Sequence, residues 1–92
     1  MKIVLKSNGT MKRYFPAIEY QLSLGRGATL ADLYDELANV AGTDISPAVW
    51  NHTKNRPRGP VIMRSEAGVL KNENEPLYNG QTLEFKRFLV GG

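Results

Sequence analysis

Apolar positions alternate near both ends of this chain and recur at helical spacing in its middle. At the N-terminus, Lys2-Ile3-Val4-Leu5-Lys6 is a short β-rich run that stops at Ser7-Asn8-Gly9-Thr10. Asn-Gly between apolar runs favours the backbone of a tight turn, so the pattern predicts a hairpin whose return strand lies within Tyr14 to Leu24. There Ile18, Tyr20, Leu22 and Leu24 alternate with Glu19, Gln21 and Ser23. Pro16 cannot donate to a ladder and assigns this strand to an edge or an irregular start. Gly25-Arg26-Gly27 ends it, and Thr29 with Asp32 three residues later resembles a capping box with Asp in the usual Glu place. Leu30, Leu33, Tyr34, Leu37, Ala38 and Ala41 then share one helical face, with Asp32, Asp35, Glu36 and Asn39 on the other and Gly42 as the stop.

Beyond the helix the pattern weakens. Thr43 to Gly59 is polar, holds Pro47 and Pro57, and reads as a long connection with a short helical turn around Pro47 to Trp50. Val61-Ile62-Met63 is a short buried strand, Ser65 to Gly68 a turn, and Val69-Leu70 a brief return. Pro76 to Gly80 is a tight turn, after which Leu83 and Phe85 alternate with Glu84 and Lys86 in a half-solvated strand from Thr82 to Phe88. One amphipathic helix facing one sheet implies an α+β fold. The element order suggests a β-grasp, a mixed sheet of four to five strands packed on one main helix, with the first and last strands central and parallel. Ninety-two residues have room for one core, so 1–92 is read as a single domain.

Composition removes several kinds of chemistry. The chain has no cysteine, which excludes disulfides, thiol nucleophiles and Cys-based zinc sites. Its 41% hydrophobic and 23% charged content is that of an ordinary folded domain. The apolar runs fall far short of the roughly 20 residues a bilayer requires, and MKIVLK lacks the apolar core of a signal peptide. A cytoplasmic protein with no membrane partner is expected. The net charge of +3 includes Lys54, Arg56 and Arg58, but the charge is mild and the aromatics are scattered, so no nucleic-acid stripe is read. His52, the one histidine, sits in a polar loop at no triad or metal-ligand spacing; it is expected to be exposed and without a role, and no metal site is expected. Asn51-His52-Thr53 matches a glycosylation sequon by chance, given the missing signal peptide. Gly25-Arg26-Gly27 is too short for a phosphate loop. Trp50 has two readings, a partner anchor or a ring covering the edge of a small core.

The segments Thr29-Leu30-Ala31-Asp32-Leu33, Pro76-Leu77-Tyr78-Asn79-Gly80-Gln81, Thr82-Leu83-Glu84-Phe85 and terminal Gly91-Gly92 stand in the order found in MoaD/ThiS-type ubiquitin-like sulfur carriers. The chain resembles that family over nearly its whole length. Each motif is common alone; their order, ending in the double glycine, is the specific part. The long 43–59 connection and extended first hairpin make it resemble MoaD more than ThiS. Lys86-Arg87-Phe88-Leu89-Val90 stands where molybdopterin-pathway members often carry proline.

The resemblance implies a carrier and not an enzyme. Its C-terminal carboxylate at Gly92 would be adenylated and converted to a thiocarboxylate for sulfur transfer in cofactor biosynthesis, of molybdopterin type. No cofactor would be bound, since ATP is used by the partner. Those partners would be an ATP-dependent adenylating enzyme, a sulfur donor and the large subunit of a cofactor synthase.

The chemistry suits the residues. A terminal carboxyl with a pKa of about 3.3–3.7 is ionised at neutral pH and resists nucleophiles until it is joined to a leaving group. Val90, Gly91 and Gly92 would form the inserted tail, a flexible end kept thin by glycine's missing Cβ. Lys86 and Arg87 would steer it toward an acidic or nucleotide-loaded surface. Alternation sets Phe88 and Lys86 opposite Leu83 and Phe85, and Val4 opposite Ile3 and Leu5, so Phe88, Lys86, Arg87 and Val4 are the candidate partner contacts. A ubiquitin-like modifier joined through Gly92 to lysines needs the same activated carboxylate. A noncatalytic interaction module would instead use the surface from Lys54 to Arg58.

Overall fold

The computed structural model describes residues 1–7, 9–59 and 61–87. In chain order its strands are β1 (Lys2–Lys6), β2 (Glu19–Ser23), β3 (Trp50–Asn51), β4 (Arg56–Pro57), β5 (Val61–Ser65), β6 (Gly68–Leu70) and β7 (Thr82–Arg87), with helix α1 (Leu30–Ala41) between β2 and β3. Five strands form one mixed sheet in the order β2-β1-β7-β5-β6, and β3 and β4 form a separate small hairpin. β1 and β7 run parallel at the sheet's centre, and every other pairing is antiparallel. This is the β-grasp arrangement expected from the element order.

The alternation that predicted the strands also fixes which face is covered. Ile3, Leu5, Leu83 and Phe85 are fully buried, and they meet Leu30, Leu33, Tyr34, Leu37 and Ala41 of the helix in one core. Thr29 starts α1 as expected: its N–H donates to Asp32 Oδ2 at 2.8 Å and its hydroxyl donates to the same oxygen at 3.2 Å. Gly42, at φ 43°, ends it in backbone that a side chain would resist. Among the described residues, no helix is long and apolar enough to cross a membrane.

Two connections differ from the sequence expectation. The first is not a tight Asn-Gly hairpin. Asn8 lies outside the described residues, and the chain from Gly9 to Tyr14 forms a 3₁₀ helix. Met11 and Phe15 supply the reason, since both are buried in the core and a two-residue turn would have left them in water. Ser7 closes the base of this loop, its N–H donating to Ile18 O at 2.8 Å and its hydroxyl to Ala17 O at 2.7 Å. Ile18 falls outside β2 and is 58% exposed, against the alternation that counted it inward.

The second is the 43–59 segment, which is an organised part of the fold. It contributes Ile45, Val49 and Trp50 to the core. Trp50 is fully buried, with its ring set edge-on to Tyr34 at 6.1 Å, so the partner-anchor reading of this residue is overturned. Burial pushes the Tyr34 phenol up to about 12. Arg56 ties the small hairpin down: Nη1 pairs with Asp35 Oδ1 at 2.9 Å, Nε pairs with Glu73 Oε1 at 2.7 Å, and the guanidinium lies 5.5 Å from the Tyr34 ring centre. Arg58 Nε donates to Pro47 O at 2.8 Å. Two of the three cations proposed for an interaction surface are therefore engaged within the domain. His52 is exposed, as expected, with Nε2 2.8 Å from Ile45 O.

Truncating Trp50 leaves a large void between α1 and the 43–59 segment. Trp50→Ala is expected to cost about 3–5 kcal/mol in denaturant unfolding. Trp50→Phe should cost less than half of that, because Trp50 Nε1 has no hydrogen-bond partner among the described residues to lose. Equal costs for the two variants would contradict the core role of the ring.

Candidate functional site

β7, which runs to Arg87, precedes the glycine pair in the sequence, and the turn before it sets its register. Leu77 N–H donates to Ala28 O at 3.0 Å, and Gly80 N–H donates to Lys2 O at 2.8 Å. Gly80 has φ 83°, a conformation glycine adopts without strain. Lys2 N–H donates to Asn79 Oδ1 at 2.8 Å, and Val4 N–H donates to Gln81 O at 3.0 Å. Buried Gln81 accepts from Tyr78 N–H through Oε1 at 3.1 Å. Glu66 accepts from both the Tyr78 hydroxyl and Thr82 N–H, and these two bonds hold its carboxyl below the usual range. β7 therefore starts from a turn cross-linked to β1 and to the β5–β6 turn. Further along, Phe85 stacks on Phe15 with ring centres 4.9 Å apart.

The sheet face opposite α1 presents Val4 and Lys6 from β1, Thr82, Glu84 and Lys86 from β7, and Ile62 and Arg64 from β5. Val4 is level with Thr82, while Lys86 is level with Ile62. Four residues of β7 separate those levels, roughly 13 Å along the strand, so the structure does not bring Val4 and Lys86 together. Lys86 Nζ lies 3.3 Å from Glu84 Oε1. Glu84 is flanked by Lys6 and Arg64 on the neighbouring strands.

Arg87 points to the other side. Its Nη1 donates to the Tyr14 hydroxyl at 2.7 Å, and Arg13 Nη2 donates to the same oxygen at 2.8 Å. Both guanidiniums also face the Tyr14 ring, at 5.6 Å and 4.9 Å from its centre. Phe88, Val90, Gly91 and Gly92, the remaining expected site residues, lie outside the described residues. Among the described residues, no three metal-ligating side chains come together.

No family model and no curated protein sequence matches the chain. Solved structures do match. SAMP1 from Haloferax volcanii superposes with a TM-score of 0.77 at 14% identity, covering 100% of both chains. A second structure, of H. volcanii small archaeal modifier protein 1, gives 0.74 at 12% identity over 96% of this chain and 98% of that one. Urm1 from Trypanosoma brucei gives 0.66 at 19% identity over 99% and 95%. Likeness at this identity establishes the ubiquitin-like β-grasp fold.

Arg13 and Tyr14 escaped the sequence reading because a turn at Ser7–Thr10 and a return strand within Tyr14 to Leu24 leave no place for the 3₁₀ helix that carries them. The available signal was Met11 and Phe15, apolar residues four apart that needed a place in the core. The arrangement leaves a measurable trace. The hydrogen bond from Arg13, helped by the charges of both arginines, holds the Tyr14 phenol below its usual 10. In a ring-proton NMR titration Tyr14 should therefore deprotonate below pH 10 and Tyr34 near 12. Arg13→Ala should move Tyr14 upward. A Tyr14 midpoint at or above 10 would contradict the geometry.

Proposed function

We propose that this chain is a ubiquitin-like sulfur carrier activated by adenylation of the Gly92 carboxylate. The observation that carries the reading is β7, a central strand locked at its start and paired on both sides. Its last described residue, Arg87, is followed within five residues by Gly91-Gly92. Likeness in fold over the whole chain to a small archaeal modifier protein and to Urm1 supports the same reading.

In the activation step the Gly92 carboxylate attacks ATP on a partner enzyme, releasing pyrophosphate and forming an acyl-adenylate. Hydrosulfide supplied by a donor then attacks the acyl carbon and displaces AMP, and the thiocarboxylate formed by loss of the S–H proton carries sulfur to an acceptor. The chain is a co-substrate in these steps, and the partner supplies the catalysis. The resemblance to MoaD-like carriers favours delivery to a molybdopterin-type synthase subunit. The second reading, a modifier joined through Gly92 to lysines, is favoured by the name of the neighbour from H. volcanii, a modifier protein.

Intact-mass analysis separates these readings. After incubation with ATP, an adenylating enzyme and a sulfur donor, the carrier reading predicts the mass change of one oxygen replaced by sulfur, localised to Gly92. Lysine-linked adducts through Gly92 without that species would favour the modifier. A terminus that stays unchanged beside an enzyme proven active would contradict both.

A further inference from the structure

Arg56 and the pair Arg13 and Arg87 are held in different ways. Arg56, which fastens the β3–β4 hairpin, meets two carboxylates. Arg13 and Arg87 meet none within ion-pairing distance among the described residues, yet both are drawn to one oxygen. Their donor nitrogens are 2.8 and 2.7 Å from Tyr14 Oη and so stand at most about 5.5 Å apart. Like charges at that separation repel, and a neutral phenol does not cancel them. Each guanidinium carries five N–H donors in a fixed fork, and only one from each is directed at Tyr14. The base beneath them is anchored, because Tyr14 O accepts from Ser46 N–H at 2.8 Å. The result is an exposed, partly preorganised pair of cationic forks whose mutual repulsion an anion would relieve.

We propose that Arg13 and Arg87, gathered by Tyr14, are a docking point for an acidic side chain, Asp or Glu, on the protein that receives the tail. This rests on the reading of Gly92 as the activated group. The position selects a protein carboxylate over the nucleotide. Gly92 is five residues beyond Arg87, up to about 17 Å of extended chain, so a tail threaded into an active site puts the reacting end and its nucleotide far from these forks. What faces them is the rim of the partner's channel. On the opposite side of β7, Lys86 pairs with Glu84, whereas among the described residues neither Arg13 nor Arg87 pairs with a carboxylate.

The test is steady-state ATP–pyrophosphate exchange by the adenylating enzyme, with the full chain as variable substrate. Arg13→Gln with Arg87→Gln should raise KM for the carrier about tenfold, leave kcat within about twofold and flatten the rise of KM with salt. Arg13→Lys with Arg87→Lys, keeping charge without the bidentate fork, should recover only part of the loss. The melting temperature should be unchanged in both, and if the glutamine pair lowers it the lysine pair decides the matter through the same KM. Wild-type exchange with unaltered KM and salt dependence in the variants would overturn this docking point and leave the Gly92 reading standing. An enzyme that never activates the wild-type chain would overturn the Gly92 reading, and the docking point with it.

Discussion

The parallel pairing of β1 with β7 is the contact on which the rest of this structure depends. It joins strands separated by nearly the whole chain, with Val4 beside Thr82 and Leu5 beside Leu83. Closing a loop of roughly 80 residues costs about 4 kcal/mol beyond a length-independent constant. Ile3, Leu5, Leu83 and Phe85 offset that when they bury, at about 1.5–3 kcal/mol each. Once the pair has formed, β2 and β5 have edges to join and α1 has a surface to cover. The covered face in turn decides which side chains of β7 remain available to a partner.

Much of this architecture could be read along the chain because single elements obey single periodicities. Helix α1 has its apolar stripe, its Thr29–Asp32 start and its Gly42 stop within a short window, and it forms where those signals stand. β1 and β7 are legible for the same reason. The connections were harder, because their structure is decided by residues distant in sequence. Asn8-Gly9 is a strong local turn signal, yet Met11 and Phe15 needed burial under β7, and core packing outweighed turn preference. In the 43–59 segment the polar residues dominate by number, while Ile45, Val49 and Trp50 enter the core and Trp50 packs on Tyr34 of α1.

The candidate site was legible in part for a related reason. Lys86 and Val4 fall on the uncovered face, as period-two alternation requires, but alternation carries no information on level, and the two stand far apart along the sheet. Arg87 was grouped with Lys86 by sequence adjacency, whereas adjacency in a strand means opposite faces. Its true neighbours, Arg13 and Tyr14, come from the other end of the chain and meet it where the 3₁₀ segment packs on β7, with Phe15 against Phe85.

A division of labour follows from these observations. On the proposed reading, the β-grasp domain positions and presents, and the reactive group is the carboxylate of Gly92, five residues after Arg87 in the sequence. The most direct test of that separation is removal of Gly91 and Gly92, with thermal unfolding and ATP-dependent pyrophosphate release followed on the same protein. An unchanged melting temperature together with complete loss of release is the predicted result. Release that persists in the truncated chain would contradict the assignment of function to the terminal glycine.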